Sequence, residues 1–488
     1  MPYSILHRAR SVLLCVTLMG IVLYSEMLRA EDLQANHPTN HPTKSRPNIL
    51  FIMVDDMGWM DLRCQGNERL QTPNIDRLAS EGVRFTDAYA AAPVCSPTRA
   101  AVLTGLSPAR LQITNHIPDQ PRFVPDNAVL QPAAMLDHLP TEHVTIAERL
   151  RDAGYATGFF GKWHLAGPAR SKKQGMGDLR FYPERQGFDV NLGGCAMGGP
   201  FSFFDPYRLH NLPSAKPGQY MPDRFADELI RFMTQHSKQR WLAFLWNYTV
   251  HWPMEAPEAL VEKYKARGDL GRLDPRYAAM IEATDMAMGR IFRALKDLQL
   301  EQETFVVFTS DNGAFDGVSD LAPLREAKGY LYEGGIRIPL IIRWPGKAKA
   351  GSVCQTPVIS MDFYSTLLEV AGLEQSDSVP NDGVSLVPLL TGQSIDRDAI
   401  YFHYPNYAFH RSNRLGSAIR EGDEKLIERF DDGSLELYDL SRDIGEQENL
   451  AEKRPQRAAD LQRKLAKWRQ ESGAAMPSRI KTNDSPID

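Results

Sequence analysis

Cysteine is scarce in this chain: five occur in 488 residues, and no two are spaced as a Cys-x-x-Cys pair. That spacing gives no zinc-ribbon framework, and the low count excludes a disulfide-dense small domain. Positive charge is not in excess, since 56 Lys and Arg stand against 61 Asp and Glu for a formal net charge of −5. No basic stripe interleaved with aromatics occurs, so nucleic acid is a poor partner. Low-complexity tracts and internal repeats are missing. Long apolar runs are missing too, apart from "SVLLCVTLMGIVLY" near the N-terminus, whose 14 residues fall short of the ~20 that span a bilayer. Arg8 and Arg10 precede that run and "EMLRA" follows it, so residues 1–30 read as a secretory signal peptide. The expected protein is exported, secreted or periplasmic, without stable membrane insertion. Loss of Arg8, Arg10, Arg29 and Glu26 with the leader takes the formal charge from −5 to −7. An anionic substrate would then be drawn by local positive charge and not by the global field.

What remains is ordinary globular composition, 43% hydrophobic and 24% charged, over a length suited to one large domain plus a smaller one. Residues 31–46 are polar and read as a flexible lead-in. Continuous apolar runs of strand length follow: "NILFIMVDD", "YATGFFG", "WLAFLWNYT", "TFVVFTSDNG" and "IPLIIRWPG". Amphipathic helical patterns lie between them, such as "TPNIDRLASEG", "TIAERLRDAG" and "YAAMIEATDMAMGRIFRALKDLQL". This alternation predicts an α/β domain over 47–385 with a mainly parallel sheet covered by helices on both faces. Residues 165–222 form a long Gly- and Pro-rich excursion, of the kind that shapes a binding site. From 386 to 475 short strands with tight turns precede a helix bearing Leu461, Leu465 and Trp468 on one face, which predicts a smaller antiparallel sheet with a packed helix. Residues 476–488 read as a tail.

Polar residues crowd the C-terminal ends of the predicted strands, where open α/β sheets bind ligands. Asp55 and Asp56 follow the first run, and Asp311 and Asn312 follow "TFVVFTS". One acidic pair after a strand is usually a turn or a cap. Two such pairs make an all-oxygen set suited to Ca²⁺ or Mg²⁺, and less to zinc. Basic groups gather in the same way: Lys162 and His164 in "FFGKWHL", His251 after "LAFLWNYTV", and Lys328 in "EAKGYLYEGG". In "APVCSPTRAAVLTG", residues 92–105, Pro97 suits a first helical turn and Gly105 a helix end. Arg99 would share a helical face with Cys95. Taken alone, Cys95 reads as a buried packing residue. A metal and several cations around one nucleophile would suit sulfuryl or phosphoryl transfer. Four cysteines follow the leader, and neither a bridge nor a free state is specified for Cys64, Cys195 and Cys354.

"PVCSPTRAAVLTG" resembles the signature of the formylglycine-dependent sulfatases, in which Cys-x-Pro-x-Arg directs oxidation of the cysteine to an aldehyde. "GYATGFFGKWHL" resembles that family's other signature, with Phe160 where a smaller residue is usual. "DDMGWMD", "TSDNGA", "YEGGIRIPLIIRWPG" and "LYDLSRDIGEQENLA" fall in the expected order, so the resemblance spans about 46–470. It implies an alkaline-phosphatase-like fold, a formylglycine made from Cys95 by a formylglycine-generating maturation enzyme, and one Ca²⁺ held by Asp55, Asp56, Asp311, Asn312 and residue 95 itself. Lys162 and Arg99 would orient the hydrated aldehyde, and Lys328 and His251 would contact the sulfate. His251 would also protonate the leaving alcohol, while His164 would take the proton from the second diol oxygen. Two other readings use the same residues: a phosphate or phosphonate ester hydrolase of the same superfamily, and a non-catalytic binder of sulfated glycans if Cys95 stays a thiol. The leader, the Gly-rich excursion and Trp252, Phe203, Phe204 and Tyr207 favour a sulfated carbohydrate substrate. His210 and His403 are weighed as sugar-subsite residues and read as structural.

Overall fold

The computed structural model describes residues 46–168, 177–376, 379–410 and 412–480. The expected leader and the lead-in up to residue 45 lie outside the described residues. Among the described residues no helix is long and apolar enough to cross a membrane.

Nine strands form the main sheet: β1 (Asn48–Val54), β2 (Val83–Tyr89), β3 (Ala156–Gly161), β4 (Val190–Leu192), β5 (Trp241–Asn247), β6 (Thr304–Ser310), β7 (Arg337–Arg343), β8 (Ser352–Cys354) and β9 (Val358–Ile359). Their order is β9-β2-β7-β6-β1-β5-β3-β4, with β8 also paired to β2. Every pairing is parallel except those of β7, which runs antiparallel to both β2 and β6. Strands β1, β5 and β6 are buried along their whole length, as continuous apolar runs require when both sheet faces are covered. The sequence reading passes over β2, "VRFTDAY", because its apolar residues are interrupted by charge. Those charges have partners: Asp87 meets Arg337 at 3.1 Å and Arg420 at 2.7 Å, and Arg84 donates to Gln65 at 2.8 Å.

Register sets the site. Val54 stands opposite both Asn247 and Ser310, so Asp55 and Asp311 leave the sheet side by side. Gly161 pairs with Trp246, which puts Lys162 at the same edge. Helix α1 (Cys95–Thr104) is buried throughout and ends at Gly105, whose φ of 72° is left-handed and whose N–H donates to Ala101 at 2.9 Å. A side chain there would also strike Tyr364. Phe160 packs on Phe232 of α2 (Met221–Gln235), with ring centroids 5.7 Å apart. Gly158, whose Cβ would come within 2.8 Å of that ring, leaves room for it.

A four-stranded antiparallel sheet, β10 (Ile400–Tyr404), β11 (Gly416–Glu421), β12 (Glu424–Arg429) and β13 (Leu435–Asp439), carries α3 (Pro455–Ser472). Leu461 and Leu465 of α3 are fully buried with Ile419, Leu426 and Leu437. A buried ion network joins this sheet to the main one. Lys425 lies 2.9 Å from Glu333 and 2.8 Å from Glu446, and Arg337 lies 3.1 Å from Glu333. Further out, Ser478–Arg479 pairs with Leu130–Gln131.

His403 on β10 is buried, with Nδ1 2.8 Å from the Ser417 hydroxyl and Nε2 2.8 Å from the Ala475 carbonyl. A carbonyl only accepts, so Nε2 carries a hydrogen, and in the neutral ring Nδ1 accepts from the Ser417 hydroxyl. Burial lowers its pKa from 6.5 to about 4. The folded state then binds fewer protons than the unfolded one, so this stability is present above pH ~6.5 and is lost as pH falls toward 4. His403→Gln should therefore remove ~2 kcal/mol of the stability difference between pH 7.5 and pH 5. Urea unfolding at both pH values checks this, and an unchanged acid limb would refute it.

Candidate active site

The site is built on four adjacent strand ends. Asp55 and Asp56 follow β1, Asp311 and Asn312 follow β6, Lys162 follows β3, and His251 lies four residues past β5. Cys95, at the first position of α1, is 2% exposed, and Arg99 one turn on is fully buried. Arg99 donates from Nε and Nη2 to Asp311 Oδ2 at 3.0 and 2.6 Å, and from Nη1 to the Lys162 carbonyl at 2.8 Å. Lys162 Nζ lies 2.6 Å from Asp55 Oδ2, and Lys328 Nζ lies 2.6 Å from Asp56 Oδ1. Asn312 donates to the same Asp56 oxygen at 2.7 Å, and His251 Nε2 stands 3.8 Å from Asp56 Oδ2.

Charge sorts the three carboxylates. Burial would raise each of them, but Lys328 holds Asp56 below the ordinary carboxylate range and Arg99 does the same for Asp311. Asp55 is pushed well up by burial and by Asp311, with Lys162 opposing. Burial also pushes the Cys95 thiol up to about 11 against the pull of Lys162 and Lys328, so it is un-ionised at neutral pH. The unconverted cysteine is thus a poor nucleophile.

A divalent cation fits these residues. Donor atoms of Asp55, Cys95 and Asp311 lie within 4.8 Å of one another. Asp55 Oδ1, Asp56 Oδ2 and Asn312 Oδ1 are buried without a hydrogen-bond partner. Buried unpaired oxygens are costly, and on residues adjoining a clustered donor set they suit a hard cation.

The two histidines at this centre differ in tautomer. His164 Nε2 sits against the Ile117 carbonyl, which requires the hydrogen there and leaves Nδ1 a bare acceptor, buried without a partner. His251 Nδ1 donates to the Trp252 carbonyl at 2.9 Å, so its Nε2 is the variable position. Burial, then Lys328, lowers the His251 pKa to about 3, and burial, then Lys162, puts His164 well below its usual value. Gly198 lies against the His164 ring, where a Cβ would come within 2.7 Å, and Gly199 lies beside His251. This is the part of the Gly-rich excursion that reaches the site.

All ten residues singled out from the sequence meet here. Others were not legible. The Ser96 hydroxyl donates to the His164 carbonyl at 3.0 Å and accepts from Ile117 N–H at 3.1 Å, tying two loops to α1. Asp61 accepts from Gly58 N–H at 2.7 Å and lies 2.5 Å from the Tyr277 hydroxyl, which is 3.1 Å from the Asp56 carbonyl. A cleft of about 650 Å³ opens from Cys95, walled by His116, Phe123, Trp252, Phe315 and Phe409 among others. Of the four aromatics expected at a sugar site, only Trp252 lines it. Phe203 and Tyr207 are buried in the core, and Phe204 packs on Tyr220 with centroids 5.0 Å apart. His210 is exposed outside the cleft, and His403 is the buried residue described above. Cys64, Cys95, Cys195 and Cys354 are all free.

The sulfatase family profile matches residues 47–373. The chain belongs to the sulfatase family. This sulfatase also matches the profile "N-sulphoglucosamine sulphohydrolase, C-terminal" over 327–471. A sulfatase of Formosa agariphila is 31% identical over 512 residues, covering 91% of each chain. The N-acetylgalactosamine-6-sulfatase of Mus musculus is 33% identical over 390 residues, covering 73% of this sulfatase and 68% of its own length. The crystal structure of Ps i-CgsB in complex with k-i-k-neocarrahexaose matches with a TM-score of 0.73 at 28% identity, covering 88% of this sulfatase and 93% of that chain. The sulfatase is thus a sulfuric ester hydrolase of alkaline-phosphatase-like fold, and its family implies a formylglycine and a divalent metal.

Proposed function

We propose that this sulfatase removes sulfate from a sulfated carbohydrate, with formylglycine at position 95 as nucleophile and one Ca²⁺ held by Asp55, Asp56, Asp311, Asn312 and residue 95. The carrying observation is the cluster of Asp55, Cys95 and Asp311 donor atoms within 4.8 Å of one another, with the next carboxylate, Asp56, approached by Lys328 at 2.6 Å and His251 at 3.8 Å. When present, the hydrated aldehyde at position 95 would supply a nucleophilic oxygen, and a cation held by these residues would neutralise negative charge.

The chain's own residues do the rest. Arg99 and Lys162 hold the acidic residues and orient residue 95. Lys328, kept charged by Asp56 despite burial, binds the sulfate. A sulfate anion beside His251 opposes the effects of burial and Lys328 and favours a proton on Nε2, which is delivered to the leaving alcohol. His164 Nδ1 accepts the proton from residue 95 that accompanies sulfate release. The cleft's mixture of aromatic rings and polar groups suits a sugar, which has apolar faces and hydroxyl edges. Proteins similar to this one are named for N-acetylgalactosamine-6-sulfate and for a bound neocarrahexaose. Export through the 1–30 leader would bring the enzyme to extracytoplasmic polysaccharide.

The test is the mass of the tryptic peptide holding position 95 after co-expression with a formylglycine-generating enzyme, with turnover of an aryl sulfate on the same sample. Aldehyde or its hydrate together with turnover is expected, and chelation should abolish the turnover until Ca²⁺ is restored. A persistent thiol, with the maturation enzyme active on a control peptide, would overturn the reading. Faster hydrolysis of the phosphate analogue would move it to phosphoester chemistry.

A further inference from the structure

Beside the cleft lies a second hollow of about 400 Å³. Arg122, Phe123, Phe409 and His410 line both, so they form the ridge between them, and Asp126 and Asn127 line only the second. We propose that this hollow is the subsite for the sugar unit next to the sulfated one, and that Arg122 holds an acidic group carried by that unit. The proposal rests on the reading of the enzyme as a carbohydrate sulfatase.

The ridge leads outward from the sulfate end. Lys328 Nζ lies 5.8 Å from the centre of the Phe409 ring, and that ring is 6.1 Å from Phe123 at an interplanar angle of 75°. The Arg122 guanidinium lies over the Phe123 ring at 5.0 Å. Arg122 thus stands two rings away from the sulfate-binding lysine. Among the described residues Arg122 makes no ion pair, whereas Arg99, at the cleft's inner end beside Cys95, is paired with Asp311. An unpaired guanidinium steadied on an aromatic face is well placed to take a carboxylate or sulfate in its fork. His410 lines both hollows on the same ridge and stacks on Tyr330 with ring centroids 5.1 Å apart. Beyond the ridge, Asp126 and Asn127 supply hydroxyl acceptors and a donor, while the two phenyl rings supply apolar surface. Asp126 is the one acid of the hollow and suits hydroxyls, which leaves the anion to Arg122.

Binding is measured by calorimetry on the unconverted Cys95 protein in calcium buffer, where no turnover intervenes. The probes are N-acetylgalactosamine-6-sulfate alone, the same unit linked to galactose, and the same unit linked to glucuronic acid. The acidic disaccharide is expected to bind about tenfold tighter than the monosaccharide, with the galactose disaccharide between them. Asn127→Trp, which fills the outer hollow, should bring both disaccharides to the monosaccharide value. Arg122→Ala should abolish the preference for the acidic partner while keeping the galactose gain. Equal affinity of the wild type for all three probes, or disaccharide gains untouched by Asn127→Trp, would overturn the subsite. An acidic preference that survives Arg122→Ala would overturn the assignment to that residue. Aryl sulfate turnover by the formylglycine form reports separately on the sulfatase reading, so the two can fail independently.

Discussion

Cys95→Ser keeps the fold and loses steady-state turnover by on the order of 10⁴-fold or more, the scale seen when a nucleophile is removed from an otherwise intact site. Serine is the smallest chemical change available, one oxygen for one sulfur at a position 2% exposed. Arg99, Lys162 and the acidic cluster keep all their mutual contacts, none of which uses the Cys95 sulfur. The melting temperature should accordingly move little. A serine oxygen can attack sulfur once, breaking the bond to the leaving alcohol, which departs with a proton from His251. The serine then carries the sulfate and has no second hydroxyl whose deprotonation by His164 would expel it. Mass spectrometry of the intact variant after incubation with substrate should show at most one sulfate added per chain. Sustained multiple turnover by Cys95→Ser would show that the second oxygen is not needed, and the assigned role of His164 would go with it.

Lys425→Met is expected to cost the fold about 3–5 kcal/mol. Lys425, Glu333 and Glu446 are all fully buried, and the lysine lies within 2.9 Å of both acids. Removing the cation leaves two buried carboxylates facing each other, where repulsion and desolvation add. Glu333 retains Arg337 at 3.1 Å and the Tyr89 hydroxyl at 2.7 Å, whereas Glu446 keeps only the Glu333 backbone N–H at 2.7 Å and no cation, so it is the less compensated of the two. The double variant Lys425→Met, Glu446→Gln should therefore recover much of the loss, a coupling that a double-mutant cycle reads directly. Additive losses would show that Glu446 is not the group stranded.

The strands that build the site were legible because they are buried on both faces and so appear as largely apolar runs, two of them, β1 and β6, stopping at a polar pair. β2 is just as central, but it carries Arg84 and Asp87, whose partners Gln65, Arg337 and Arg420 come from three other segments. No local pattern announces such pairings. The cleft wall was hidden for the same reason. His116, Phe123, Phe409 and His410 come from two irregular stretches nearly three hundred residues apart, and only the folded chain stacks Phe123 against Phe409. The motif runs also hold acidic residues whose work is structural. Asp61 of "DDMGWMD" braces the Asp56 backbone through Tyr277 and is not placed among the metal-facing oxygens. Glu333 of "YEGGIRIP" and Glu446 of "DIGEQEN" form a joint between sheets.

That joint also fixes when the site can come into being. Lys328 is bracketed by Arg325, which donates to the Glu446 carbonyl at 2.8 Å and to the Tyr438 hydroxyl at 3.2 Å, and by Glu333, held by Lys425 and Glu446. The C-terminal profile match begins at residue 327, inside the sulfatase match, as this bracketing would lead one to expect. A nascent chain leaves the ribosome N-terminus first. Asp55, Cys95, Arg99, Lys162, His251 and Asp311 all emerge well before the residues that hold Lys328 in place. Lys328, whose neighbours Arg325 and Glu333 are tied to Glu446, would then settle only after Glu446 has been made, and until that point the chain would carry its acidic residues without the cation that faces Asp56.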